Sequence, residues 1–311
     1  MQSARSIARP AALHWQQRVM LGFGTKLWLR AGHPDDARLG IALDQAVKTI
    51  RHIEQQMSLF NANSAVSRLN RTGTLLAPHP DLVAALTLAS HVSARSDGAF
   101  DVTVQPLWRA WADAQALGQP AYEEALHRAR QKVDWQAVDH KAGKVALRRP
   151  GMGITLNGIA QGYAADRVRE VLRAHAVEHA LLDTGEWAPI GSGPNDEPWT
   201  LGIEDPANSK LTIATIRSDG RPLASSSDAH YTFSADRKHH HILNPKTGYS
   251  PTKVASITVA AHSCALADAL TKVMFMGTVE RALEIAKQWE VDVLAIDKTG
   301  RWQASPDMPV V

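Results

Sequence analysis

One cysteine, Cys264, is the whole thiol content of these 311 residues. It has no partner for an internal disulfide and no companions for a zinc cluster, so a disulfide framework and a cysteine-built metal core are excluded. No stretch approaches the eighteen or so apolar residues of a membrane-spanning helix. Residues 1–19 carry arginines but no apolar run long enough for a secretory signal, and no cysteine for a lipid. The chain as written therefore reads as soluble, with its compartment open. Charge of one sign is scarce too: the formal net charge is +3, and Lys and Arg are scattered without runs. That argues against a nucleic-acid partner. No internal repeat, low-complexity tract or linker interrupts the chain.

What is present is ordinary globular material, 44% apolar and 21% charged. Leu39, Ala42, Ala46, Ile50, Ile53 and Met57 recur at helical spacing. A polar loop, residues 58–64, then leads into a short turn, SAVSRLN. A second helix starts at Pro80 and stops at Ser96-Asp97-Gly98. Gln17 to Leu29 reads as a first strand, with Gly22-Phe23-Gly24-Thr25 as a bulge. Asp101, between Phe100 and Val102, is either a satisfied turn-former or a ligand group. Gly153 to Leu156 reads as a strand feeding a helix that starts within Asn157–Asp166, an arrangement suited to anions. Helices and strands mix without strict βαβ alternation. The expectation is an α+β fold of antiparallel sheets with flanking helices, preceded by a loose extension over residues 1–16.

The densest chemistry lies between His239 and Thr271. Asn244-Pro245-Lys246-Thr247-Gly248 is a turn whose amides are suited to an anion. Val254 to Ala261 follows as a strand, and a helix opens after Ser263 with Asp268 and Thr271 on one face. Oxygens so placed suit a hard cation beside a phosphate. In the run His239-His240-His241, the first two read as a solvated strand end and the third as a base.

In order, the blocks GFGTK, MSLFNANSAVSRLN, SDGAFDVTVQPLW, ITLNGIAQGYAADRV, LLDTGE, WTLGIEDP, LASSSD, HHHILNPKTGYSP and ALADALTK resemble the ApbE family of FAD:protein FMN transferases. The resemblance implies a single T-fold-like flavin transferase domain over residues 17–311. It also implies Mg²⁺-dependent transfer of FMN from FAD to a Ser or Thr hydroxyl of an acceptor protein, such as a redox-pump or flavoprotein subunit, with AMP released. It makes FAD the substrate and Mg²⁺ the cofactor. By the same resemblance Asp268, Thr271 and the Gly158 carbonyl hold the metal, and His241 and Asp268 act in catalysis. Phe23, Phe60, Ala99, Phe100, Asp101, Thr155, Gln161, Leu243 and Thr247 contact the dinucleotide. Two alternatives stay open, a pyrophosphatase that releases FMN and AMP, and a catalytically weak FAD binder.

Departures from the family pattern include Phe23 for Met, Thr155 for Asp, Gln161 for Lys or Glu, and Asn244 for Asp. Lys272 stands where Thr is frequent. The expectation is that Thr271 ligates while Lys272 points away or towards a phosphate.

Overall fold

Two strands, β1 (His14–Gly22) and β2 (Thr25–His33), open the fold as an antiparallel hairpin in which Gly22 faces Thr25. Its turn residues, Phe23 and Gly24, have φ of 51° and 81°. Two positive φ values give the turn whose twist matches the strands it joins. The single bulged strand expected over Gln17–Leu29 is thus a hairpin. The computed structural model describes residues 12–119, 121–141 and 143–311. Residues 1–11 of the expected loose extension lie outside the described residues, and its end falls within β1, which starts at His14.

Helix α1 (Asp36–Met57) is capped by the Asp35 carboxylate and buries the apolar positions its spacing marks. SAVSRLN, expected as a turn, is instead helix α2 (Ala65–Thr72), with Ser64 accepting from the Ser67 amide and Gly73 closing it at φ 71°. Strand β3 (Thr74–Leu76), α3 (Pro80–Arg95), α4 (Gln105–Ala116) and α5 (Glu123–Arg130) follow. Next come β4 (Val138–Lys141) and β5 (Lys144–Leu147), which form a small sheet with β3. Residues 153–156, expected as a strand, join no sheet. Ile154 instead exchanges hydrogen bonds of 2.7 and 2.8 Å with the Asn70 side chain, and the Thr155 amide donates to the Val102 carbonyl at 2.7 Å.

The second half supplies α6 (Ala160–Ala174), β6 (His179–Asp183), β7 (Trp187–Ile190), β8 (Thr200–Asp205), β9 (Asn208–Arg217) and β10 (Leu223–Ser227). It ends with β11 (Val254–Ala260), α7 (Cys264–Phe275), α8 (Val279–Trp289), β12 (Asp292–Asp297) and β13 (Trp302–Ala304). The main sheet has the order β1-β2-β6-β7-β10-β11-β12-β13 with antiparallel neighbours. Strand β12 shows how both faces are used. Val293 and Ala295 enter the helix-side core, while Leu294 and Ile296 pack with Trp199, Leu201, Ile203 and Ile216 of the opposite layer. The outcome is the expected α+β arrangement.

The crossing of α6 and α7 places the residues discussed below. Asp166 on α6 accepts from the Ser263 hydroxyl at 2.8 Å and from the Cys264 and Ala265 amides at 2.9 Å each. It therefore satisfies amides that the start of α7 leaves without intrahelical partners, and places a negative charge at that positive end. Gly162 sits where the two backbones touch, since a Cβ there would lie 2.4 Å from the Cys264 carbonyl oxygen. Gly162→Ala is expected to lower unfolding stability by about 1–3 kcal/mol or more, the cost of overpacking a rigid contact. Urea denaturation checks it, and wild-type stability would show that the helices separate freely.

Candidate active site

A cavity of about 980 Å³ opens beside this crossing. Of the residues assigned by resemblance, Phe23, Phe60, Ala99, Phe100, Asp101, Thr155, Gly158, Gln161, His241 and Leu243 line it. They come from the β1–β2 turn, the loop after α1, the segment between α3 and α4, the approach to α6, and the irregular chain before β11. Phe60 is 71% exposed, with its ring against the face of Gly24, so an aromatic stands at the cavity rim. The Phe23 amide donates to Glu54 at 2.8 Å, which holds the hairpin tip against α1.

Gln161 donates to the Thr184 carbonyl at 2.8 Å, and the Thr184 hydroxyl donates to the Gln161 carbonyl at 3.2 Å. Gly185, with φ of 92°, lies so near that amide that a Cβ would meet it at 2.0 Å. Asp101 makes the bonds of a turn-former, accepting from the Thr103 amide (2.7 Å), the Thr103 hydroxyl (2.6 Å) and the Trp135 amide (3.2 Å), and also lines the cavity.

Other assignments fall outside the cavity wall. Thr247 is exposed, and two amides of its turn are spent internally, Lys246 donating to the Asn244 side chain (2.9 Å) and Gly248 to the Asn244 carbonyl (2.8 Å). Lys246 itself reaches Asp97 at 2.5 Å. Thr247 and this turn therefore stand away from the cavity wall, except for Pro245. The solvated strand end expected at His239 and His240 is corrected. His240 is fully buried, donating to the Pro251 carbonyl at 3.0 Å, and His239 stacks on Trp111 with centroids 4.4 Å apart.

His241 is fixed by two bonds to the Tyr231 carbonyl, one from its amide at 3.0 Å and one from Nδ1 at 3.1 Å. Donation from Nδ1 leaves Nε2 as the unprotonated nitrogen of the neutral ring. Burial lowers its pKa to about 4, and the nearby His240, Lys272 and His230 act in the same direction against the Tyr231 bond.

Asp268 and Thr271 are fully buried on α7. One Asp268 oxygen is ion-paired with Lys272, and the other accepts from the Gly162 amide at 3.3 Å. The Thr271 hydroxyl donates to the Asp268 carbonyl and meets the Ser226 hydroxyl, both at 2.7 Å. Lys272, expected to point away or towards a phosphate, is thus seated on Asp268, and the Thr271 hydroxyl is hydrogen-bonded within the protein. Both Asp268 carboxylate oxygens and the Thr271 hydroxyl, which a divalent ion would draw on, are engaged. An ion 4 Å from the ammonium would also meet about 8 kcal/mol of repulsion at an effective dielectric of 20. The residues present do not fit Mg²⁺.

Residues not singled out individually from sequence complete the wall. Glu186 accepts from the Ser225 amide at 3.0 Å, and burial, then the Asp268 carboxylate, push its carboxyl well above the usual range. Its only sequence signal was the LLDTGE block. Ser225, Ser226 and Ser227, from the LASSSD block, line the cavity too.

Burial raises the Asp101 pKa to about 6, against the hydrogen bonds it accepts. A folded-state pKa above the unfolded value means the native state binds the proton more tightly. Stability from this group is then greatest below pH 4 and declines as pH rises towards 6. Relative to Asp101→Asn, the wild type is expected to lose about 2 kcal/mol between pH 4 and pH 7. Urea titrations at both pH values test this, and a pH-independent difference would contradict it.

The sequence model of the ApbE family matches residues 23–295. The FAD:protein FMN transferase of Klebsiella pneumoniae is 30% identical over 261 residues, covering 80% of this chain and 80% of that protein. That of Haemophilus influenzae is 28% identical over 264 residues, covering 80% and 76%. Among solved structures, the flavin transferase ApbE from Vibrio cholerae superposes with a TM-score of 0.82 at 23% identity, covering 95% of this chain and 98% of that one. With a family match across most of its length and a shared fold, this chain belongs to the ApbE family.

Proposed function

We propose that this protein is an FAD:protein FMN transferase that moves FMN from FAD to a Ser or Thr hydroxyl of an acceptor protein and releases AMP. The observation that carries the reading is the convergence of Phe23, Phe60, Phe100, Thr155, Gln161 and His241, from distant parts of the chain, on one cavity of about 980 Å³. That volume suits a large cofactor. Aromatic rings at the rim suit a flat isoalloxazine, and the serines of β10 and the approach to α6 suit diphosphate oxygens.

In this reading the acceptor hydroxyl attacks the phosphorus of the riboflavin phosphate. The bond from that phosphorus to the bridging oxygen breaks, and AMP leaves with the oxygen. The hydroxyl proton passes to Nε2 of His241, whose tautomer is set by Tyr231. Because the imidazole stays neutral down to about pH 4, it is in its basic form throughout the neutral range. Transfer is otherwise a matter of positioning and charge neutralisation. No step is routed through Mg²⁺, which the Asp268 and Thr271 oxygens do not fit.

Mass spectrometry of an acceptor domain mixed with the protein and FAD is expected to show the gain of one FMN on a Ser or Thr, with equimolar AMP. FMN and AMP without a modified acceptor would replace transfer by hydrolysis. His241→Ala is expected to slow transfer about a hundredfold or more while FAD binding changes little. In the wild type the acid limb of kcat/KM should lie near pH 4, below the usual histidine value of 6.5. A limb at the usual value, or equal losses in binding and rate, would remove His241 as the base.

A further inference from the structure

Lys272 is the one residue here whose chemistry opposes the metal site implied by resemblance. It lies one helical turn beyond Asp268 on α7, so the two side chains share a face. Its ammonium pairs with an Asp268 carboxylate that is 1% exposed, while the lysine side chain keeps 19% exposure. The stem passes the helix-start turn, where a Cβ on Gly158 would lie 3.2 Å from Lys272 Cε and 3.3 Å from the Phe100 ring. Lys272 thus joins the two groups, Asp268 and Gly158, between which a divalent ion was expected. Lys272 lines the cavity, whereas Asp268 and Thr271 stand behind it. An ammonium has three N–H donors, and Asp268 is its sole hydrogen-bond partner among the described residues.

We propose that Lys272 is the built-in cation of the diphosphate site: seated on Asp268, it neutralises the charge of the bound dinucleotide, so FAD binding and cleavage by this protein need no divalent metal. The inference rests on the flavin-transfer reading for the identity of the ligand. In the transfer step the new bond joins the acceptor oxygen to the flavin-side phosphorus, and the broken bond runs from that phosphorus to the bridging oxygen. The proton goes to His241, and the ammonium holds the negative charge that gathers on the departing AMP. Lys272 is neither deprotonated nor consumed. Asp268 is a positioning residue in this scheme: it anchors the ammonium and does not itself touch the phosphates.

The test uses the purified full chain with FAD as probe. FAD affinity is read by flavin fluorescence anisotropy with excess EDTA and with excess Mg²⁺, and Mg²⁺ binding by titration calorimetry. The wild type is expected to bind FAD equally in both conditions and to show no heat with Mg²⁺. Lys272→Met should weaken FAD binding by about tenfold or more whether or not Mg²⁺ is present, on the scale of one charge-assisted hydrogen bond. Lys272→Thr should bind FAD weakly in EDTA and recover with Mg²⁺, because its hydroxyl, unlike the methionine side chain, adds an oxygen ligand beside the freed carboxylate. Lys272→Met strands a buried carboxylate, so Asp268→Asn/Lys272→Met is made beside it and should show the same metal-independent loss. A wild type whose affinity collapses in EDTA, or a Lys272→Met variant that binds as tightly as the wild type, overturns the assignment. Absence of FAD binding under every condition would instead overturn the flavin reading beneath it.

Discussion

The contact between α6 and α7 is the constraint on which the site depends. Asp166 reaches across to the first amides of α7, and Gly162 lets the backbones approach until no side chain fits between them. With the approach fixed, the Gly162 amide meets the Asp268 carboxylate, and the turn through Gly158 lies over the Lys272 stem. An alanine at Gly162 would not merely lose packing; it would move a buried acid relative to the cavity wall. Strands β10 and β11 support the same helix from behind, with Ser226 bonded to Thr271. The polar groups in this layer are therefore held by one another as much as by any ligand.

Electrostatics follow from that packing. Glu186 and Lys272 line the wall with Asp268 behind them, and the surroundings disfavour two adjacent carboxylates. Burial, then the Asp268 carboxylate, push the Glu186 carboxyl well above its usual range, and Asp268 pairs with the lysine. Burial is the main cause that lowers the His241 pKa to about 4, and nearby His240, Lys272 and His230 act in the same direction. The cavity thus offers one fixed ammonium and one neutral base, a combination suited to an anionic substrate and an incoming hydroxyl. Elsewhere, the buried Asp228 carries two cations, Arg237 and Lys298, which tie the irregular chain before β11 to the end of the sheet.

Much of the scaffold was legible because apolar spacing reports burial directly. The stripe from Leu39 to Met57 faces the core as its period requires, and β11 and β12 lie where their β-branched residues place them. What escaped was decided by partners distant in sequence. Residues 153–156 have strand-like composition, yet their neighbour is the Asn70 side chain rather than a strand. Helix α2 is only eight residues long, too short for periodicity to announce, although Ser64 and Gly73 mark its ends. His240 reads as solvated in a histidine run, and only the fold brings Ser250 and Pro251 to it. The site shows the same division. Motif resemblance led to most of the cavity wall, but the direction of the Lys272 side chain depended on a carboxylate that pairs with no other cation among the described residues.

The most direct measurement is an anomalous diffraction map from crystals grown with FAD and Mn²⁺, an ion that would report any occupied divalent site. The expected map has no manganese peak between Asp268 and Gly158 and shows Lys272 Nζ in hydrogen-bond contact with a diphosphate oxygen. A strong peak there, with the lysine displaced from the carboxylate, would contradict it.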